Sequence, residues 1–296
     1  MTALPNWHSL LQSPDVLSLI QLALDEDVGQ GDITTSSVFP ESVMVKAHIV
    51  ARSPTIACGL PLASFLFQRL NPSLQCVDAV PEGTLIAPGD SLLTVCGDVR
   101  AVLTAERCVL NYLMRLCGIA MAAHTAARQI PTDCRAQIFD TRKTTPGWRR
   151  LEKAAVATGG AHNHRFGLFD AVLIKDNHIA AAGSIAQAIT QARRAAPDGM
   201  VVEVEIDRLD QLEEALSAHP DIILLDNFSL EDLTTAVELT EERCQLEASG
   251  GITLDTLSAV AKTGVHRISM GALTHTVQPA DLGLDIPPLP PLSSLN

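Results

Sequence analysis

At 296 residues the chain is long enough for one barrel-sized domain and a smaller companion. A hydrophobic content of 47% with 19% charged residues describes a globular protein with a large core. A formal net charge of -13 and an aromatic content of only 3% argue against nucleic acid or an anionic membrane as partner, since both need basic surface and the former also uses stacking rings.

The first element is a helix opened by Ser13-Pro14-Asp15, with a serine cap, proline at the first helical position and an acid at the positive end. Val16, Leu17, Leu19, Ile20 and Leu24 follow at helical spacing, and the helix is expected to stop in the acidic, glycine-broken loop 25–32. That loop invites a calcium reading, but its spacing does not fit the twelve-residue calcium pattern. Residues 43–99 then change texture to short β-like runs, 44–50 and 92–95, with turns at Pro81-Glu82-Gly83 and Pro88-Gly89-Asp90 and a helix over 60–70. This is a separate α+β domain. A long helical pattern covers 103–128; Gly118 inside it marks either a close contact or a break, and Arg107 sits early in it beside Glu106.

From about residue 135 strand and helix alternate. Strand-like runs at 137–139, 171–174, 201–206, 222–225, 245–248 and 266–270 are separated by helical stretches such as 184–196, 209–218, 230–240 and 254–263. Such alternation means parallel strands joined by crossovers. Every run ends in polar or glycine residues, the pattern of a barrel whose strand ends carry chemistry, and no GxGxxG follows an early strand. Six runs suggest an incomplete barrel. Beyond it, 285–292 is proline-rich and reads as extended.

The seven cysteines are odd in number and scattered without a CxxC pair, which argues against a disulfide framework or zinc site and for a reducing compartment. No cationic leader precedes Asp15, Asp25, Glu26 and Asp27, and no apolar run approaches the roughly 20 residues of a membrane helix, so a cytoplasmic setting is expected.

Within this acidic chain, residues 139–179 concentrate cations: Arg142, Lys143, Arg149, Arg150, Lys153, Arg165 and Lys175, with His162, His164 and His178. Arg142 and Lys143 follow one short strand and Lys175 follows another, so parallel neighbours would aim them into one place that suits a multiply charged anion. The alternative is a solvated basic face. In Val201-Val202-Glu203-Val204-Glu205 the two glutamates share one face, the barrel interior, where carboxylates need cations, a metal or hydrogen-bond donors. Glu205 with Asp226 of the next strand suits magnesium, which takes one or two carboxylates and completes its shell with water and phosphate oxygens; a salt bridge from Glu205 to Lys175 or Arg142 is the competing reading. Ser249-Gly250-Gly251 and Met270-Gly271-Ala272 form two late strand-to-helix turns of the kind that cradle phosphate, or else glycines required only by tight turns. Cationic pocket, carboxylates and phosphate turns together suit phosphoribosyl transfer to a small anionic acceptor.

EDVGQGDITT, ERCVLNYLMRLCGIA, DTRKTTPG, GGAHNHRFGLFDAVLIKDNHI, VEVE, LLDNF, EASGGIT and SMGALTHT run in order from residue 26 to 276 and resemble the successive motifs of the quinolinate phosphoribosyltransferase family. The resemblance implies an N-terminal α/β sandwich over 1–115, joined by the segment 277–296, and an open α/β barrel over 116–276. It implies a homodimer or higher homo-oligomer that needs magnesium and turns quinolinate and phosphoribosyl pyrophosphate into nicotinate mononucleotide, pyrophosphate and carbon dioxide. By the same resemblance Arg142, His164, Arg165 and Lys175 hold the two quinolinate carboxylates, and Arg107 reaches the site of a neighbouring subunit. Lys143 meets the pyrophosphate end of the donor, Glu205 and Asp226 bind ribose and metal, Ser249, Gly250, Gly251, Gly271 and Ala272 take the phosphate, and Thr141 and Met270 also bind substrate. Lys175, Glu205 and Asp226 are the expected catalytic residues. The chain departs from the family pattern at Ala161, Cys108 and Trp148, none of which removes a charged ligand. Competing readings are a related transferase with another acceptor, a Schiff-base aldolase using Lys175, and a phosphosugar-binding protein without turnover.

Overall fold

The computed structural model describes residues 4–288. Its strands are β1 (Met44–Ala51), β2 (Thr55–Ile56), β3 (Gln75–Val77), β4 (Leu85–Ile86), β5 (Ser91–Asp98), β6 (Gln137–Phe139), β7 (Val172–Ile174), β8 (Val202–Ile206), β9 (Ile222–Asp226), β10 (Gln245–Ser249), β11 (Arg267–Ser269) and β12 (Leu282–Asp285). The chain divides into two compact units: the first takes the residues up to Ala122, Thr145–Gly160 and those from Val277, and the second takes Ala123–Thr144 and Ala161–Thr276. The segment 145–160 thus groups with the first unit although it lies inside the 116–276 span.

In the first unit an antiparallel sheet runs in the order β12-β1-β5-β3. β1 buries Val45, Ala47 and Ile49 and exposes Met44 and Lys46, the period of a half-buried strand. The helix Leu60–Leu70 turns Leu62, Ala63, Leu66 and Phe67 inward and packs on β3, completing a sandwich. Gly59 at its start has no side chain to cap with, and the Glu82 carboxylate accepts from the N–H groups of Gly59 and Leu60 instead (2.9 and 2.8 Å). The helix Val99–Gln129 is unbroken, and Gly118 is a close contact: a Cβ there would lie 2.2 Å from the carbonyl oxygen of Gln278. A one-turn helix, Trp7–Leu10, precedes the expected one, which runs Pro14–Val28, so Asp25, Glu26 and Asp27 are helical rather than looped. Ser13 stands at its cap position, but its hydroxyl donates to the Ser9 carbonyl. Asp32 caps the next helix, Ile33–Val38, by accepting from the Thr35 N–H at 2.8 Å. Trp148 stacks on Tyr112 with ring centroids 4.7 Å apart. The helix Arg149–Thr158 has its last eight residues all buried. Among them Glu152 is paired with Arg115, whose Nε lies 2.9 Å from Oε1.

The second unit is one parallel sheet in the order β6-β11-β10-β9-β8-β7. Consecutive strands β7 to β11 lie side by side, and β6 joins at the β11 edge with Ser269 opposite Phe139. Among the described residues β6 and β7 are not paired with each other, which leaves the cylinder open there. That the sheet curls is clear from its edges, because Arg142 after β6 and Lys175 after β7 line one cavity. A flat sheet would hold those edge strands about 24 Å apart. Helices on the crossovers are Asp176–Ala182, Ile185–Ala195, Leu212–Ser217, Leu230–Thr240 and Leu254–Lys262. The expected helix at 209–218 begins as a 3-10 turn, Leu209–Gln211. Of the proline-rich stretch 285–292, Asp285 ends β12, which pairs with β1, and residues 289–292 lie outside the described residues.

Candidate active site

Six strands that end together create one cavity of about 420 Å³, lined entirely by the second unit. Thr141, Arg142 and Lys143 follow β6, Lys175 follows β7, Glu205 lies on β8, Asp226 ends β9, Ser249 ends β10 and Ser269 ends β11. His164 and Arg165 come from the loop between β6 and β7. Each belongs to a short apolar run whose continuation turns polar, so burial of the run delivers the polar residue to the rim.

The loop after β6 is held by its own backbone and by the last strand turn. The Lys143 N–H donates to Thr141 Oγ1 (3.1 Å), and the Thr274 hydroxyl donates to the Lys143 carbonyl (2.8 Å). Gly271 gives the Lys143 side chain room: a Cβ there would sit 3.0 Å from Lys143 Cδ. Burial, and then the neighbouring charge of Arg142, lower the pKa of Arg165. Two guanidinium groups lining one cavity suit an anionic ligand.

Facing them, Lys175 Nζ is ion-paired with the Glu205 carboxylate. This is the salt bridge that competed with the metal reading, and it makes Lys175 a paired cation rather than a free nucleophile. Asp226 Oδ2 accepts from the Asn227 side-chain amide at 2.7 Å. Glu205 and Asp226 both line the cavity and offer hard oxygen donors, so the residues fit a magnesium ion that draws its other ligands from water and substrate.

Beneath the cavity the barrel interior is charged. His164 Nε2 is 3.1 Å from Glu203 Oε2 and 3.5 Å from Glu247 Oε1, and Arg267 Nε is 2.7 Å from Glu247 Oε2. Burial raises the pKa of Glu203. The same burial acts on Glu247, but His164 and Arg267 outweigh it and hold that carboxyl below its usual range. For His164, burial lowers the pKa and the two carboxylates more than reverse it, toward about 9. A contact on the other nitrogen opposes a second ring proton: the Arg165 N–H donates to His164 Nδ1 at 2.7 Å. A proton on Nδ1 would point into that N–H, so geometry decides for a neutral ring with its proton on Nε2, where the carboxylates want it.

Several expected site residues lie elsewhere. Gly250 and Gly251 line a neighbouring cavity of about 300 Å³ with Phe228 and Asp255, and Ser249 is shared between the two. Met270 is buried and Ala272 exposed, and neither lines the main cavity. Arg107 is exposed on the first unit's part of the long helix and is not among the residues lining this cavity. Sequence reasoning passed over Glu247 and Ser269 as lining residues, and Arg267 beneath them. Their signal was the two-residue period, since Glu247 precedes Ser249 on one face of β10 as Arg267 precedes Ser269 on β11.

Comparison with known proteins agrees with this architecture. Residues 32–117 match the model of the quinolinate phosphoribosyl transferase N-terminal domain, and residues 119–285 match that of its C-terminal domain. A Bacillus subtilis relative is 44% identical over 261 residues, 88% of this chain and 90% of its own length. The nicotinate-nucleotide pyrophosphorylase (carboxylating) of Mycobacterium leprae is 41% identical, covering 90% of this chain and 95% of that one. The structure of the nicotinate-nucleotide pyrophosphorylase from Francisella tularensis superposes with a TM-score of 0.89 at 38% identity, over 93% of this chain and 98% of that chain. Both domain models, relatives along almost the whole length and a matching fold leave one conclusion: the chain belongs to the quinolinate phosphoribosyltransferase family.

Proposed function

We propose that this chain converts quinolinate and phosphoribosyl pyrophosphate into nicotinate mononucleotide, pyrophosphate and carbon dioxide, in the supply of NAD. The observation that carries the reading is the convergence of Arg142, Arg165 and Lys175 on one cavity whose other wall holds Glu205 and Asp226. Two guanidinium forks and an ammonium offer more donors than one carboxylate can engage, and a dicarboxylate can use them all. This favours quinolinate over a nicotinate-type acceptor.

In this reading the guanidinium forks of Arg142 and Arg165 and the ammonium of Lys175 hold the two carboxylates and orient the ring nitrogen toward C1 of the ribose. Lys143 and Thr141 meet the pyrophosphate end of the donor. Ser249, with the Gly250–Gly251 turn and the Met270-Gly271-Ala272 turn, takes the ribose phosphate. Glu205 and Asp226 face the ribose, where carboxylates stabilise positive charge as the C1 bond to pyrophosphate breaks. They would also hold magnesium, whose role when bound is to neutralise the departing pyrophosphate. After the nitrogen is alkylated, the pyridinium charge stabilises the ring carbanion left when the adjacent carboxylate departs as carbon dioxide, and a proton from water then takes up that electron pair to complete the nicotinate ring. Lys175 stands where that carboxylate is held. A direct contact from His164 would require its Nε2 to exchange a glutamate for a ligand carboxylate.

Arg107 is exposed and outside its own chain's cavity lining, which fits a homodimer in which each copy lends that residue to the other. Among the described residues no helix is long and apolar enough to cross a membrane. All seven cysteines are free, which fits a reducing compartment such as the cytoplasm.

The test is turnover of carboxyl-labelled quinolinate with the donor and magnesium, reading carbon dioxide and nucleotide together, with nicotinate in parallel. Equal amounts of both products, lost in Lys175→Ala, are expected. Product from nicotinate alone would reassign the acceptor, and no turnover by folded protein would overturn the reading. Mixing Arg107→Ala with Lys175→Ala chains should restore part of the activity if the site is shared between copies.

A further inference from the structure

The charged interior of the barrel has no part in the reaction just described, yet it is built with care. Glu203 on β8 and Glu247 on β10 are almost wholly buried, at 2% and 0% exposure. Such carboxylates are costly inside a protein and are retained where they organise something. Both reach one imidazole: His164, whose side chain is 8% exposed and whose Nε2 faces both. Arg267 backs Glu247 from β11 and lies with its Cζ 3.9 Å above the Phe139 ring. On the far side of the ring, Nδ1 accepts from the backbone N–H of Arg165. One residue back, the His164 N–H donates at 2.8 Å to Asp140, which is fully buried at the end of β6. The backbone of residues 164 and 165 is therefore fixed at two successive amides, one by Asp140 and one by the ring.

The second of these bonds exists in only one tautomer. It needs a bare Nδ1, and the ring has a bare Nδ1 only while its proton is held on Nε2. The glutamates below supply the acceptors that hold it there. We propose that Glu203 and Glu247 are positioning residues that act through His164: they fix its Nε2–H tautomer, so that Nδ1 anchors the Arg165 backbone and aims the Arg165 guanidinium at the acceptor. The arrangement is the logic of a metal-bound or triad histidine, where a group behind the ring decides what its front can do, here applied to a backbone amide. The inference rests on the reading of Arg165 as an acceptor ligand, and its first measurement does not depend on that reading.

That measurement is the tautomer. Long-range nitrogen–proton NMR of protein labelled at histidine, with the His164 signals assigned by loss in His164→Gln, should show Nε2 protonated and Nδ1 bare in the unaltered protein. A proton on Nδ1 overturns the proposal without any variant. The second measurement is kinetic. Glu203→Leu keeps the bulk and removes the acceptor, and it should raise KM for the dicarboxylic acceptor about tenfold, the scale of one lost buried hydrogen bond. KM for the phosphoribosyl donor should stay within about twofold. Glu203→Gln keeps an acceptor oxygen toward Nε2 and should restore most of the loss. Equal damage in the Gln and Leu variants, or a folded Leu variant with unchanged acceptor KM, would overturn the positioning role. If no acid is turned over at all, the assigned reaction fails while the tautomer result still stands or falls on its own.

Discussion

Gly250→Ala tests whether the glycine turn after β10 is built by collision or by chain conformation alone. Gly250 has φ +90°, and a Cβ placed there would lie 2.2 Å from Asn227 Oδ1, 2.6 Å from its Cγ and 2.8 Å from its backbone nitrogen. The side-chain atoms could rotate away at the expense of the bond to Asp226 (2.7 Å), but the backbone nitrogen is tied to the Ser249 carbonyl at 2.9 Å. The left-handed conformation costs an alanine about 1–2 kcal/mol, and forced overpacking adds about 1–3 kcal/mol, giving about 2–5 kcal/mol in all. Gly251→Ala is the matched control, because its φ is +58° and nothing lies within 4 Å of the added atom. It should lose only the conformational part, about 1–2 kcal/mol. Urea unfolding must be followed by far-ultraviolet circular dichroism, since both tryptophans, Trp7 and Trp148, belong to the first unit and cannot report on the second. A midpoint lowered by about 1–2 M for Gly250→Ala, and by clearly less for Gly251→Ala, is expected. Equal losses would refute the collision argument and leave Asn227 without a role in choosing glycine.

Lys175→Ala should reduce kcat/KM for quinolinate by at least about 100-fold, the scale of removing one positioned charge at a reacting group. Its circular dichroism should not change, because the side chain is nearly half exposed. Asp226→Asn should raise the magnesium concentration for half-maximal turnover about tenfold, and chelation should stop the unaltered enzyme until magnesium is returned; full activity in chelator would remove the metal from the reading. Arg115→Met strands the buried Glu152 carboxylate, so it should cost about 3–5 kcal/mol in urea unfolding, and the double variant with Glu152→Met should recover most of it. Asp32→Ala should cost about 1 kcal/mol at neutral pH through loss of the helix cap, toward the low end because the group is well solvated. The Thr35 hydroxyl is the largest cause of its lowered pKa, followed by the Thr35 N–H. A carboxyl lowered on folding adds stability above its unfolded value, near 4, and loses it as pH falls through the folded value. The gap between variant and parent should therefore close on acidification; a gap that widens would contradict the cap.

The barrel was legible because its strands are short apolar runs with polar ends, and burying Ile138 or Ile174 necessarily brings Arg142 or Lys175 to a common rim. The pairing of Lys175 with Glu205 was legible as one of two options, since charge alone does not say whether a cation or a metal answers a carboxylate. Less could be read where partners are chosen by curvature. Glu203 announced itself as an interior carboxylate, but that Glu247, two strands away, shares its histidine follows only from how tightly the sheet closes. The helix Arg149–Thr158 was masked by its charged start, Arg149-Arg150 with Glu152 and Lys153, which reads as part of the cationic stretch although Leu151, Ala154, Ala155 and Thr158 keep helical spacing. Strand β12 was hidden because four residues pairing with a strand far back in the chain leave no local trace.

That last strand bears on the order in which the molecule can assemble. Its register sets His48 against Asp285, and Arg52 grips Asp285 at 2.6 Å. During synthesis at about 5–20 residues per second, β1 therefore waits at least about ten seconds for its neighbour. The parallel sheet of the second unit, complete once β11 has emerged, needs no such late arrival. Until then β1 has an unpaired edge, the kind of template on which nascent chains associate wrongly. The portion made first is thus finished last, and a released chain truncated before residue 282 should expose β1 to chaperone or protease while its barrel resists both.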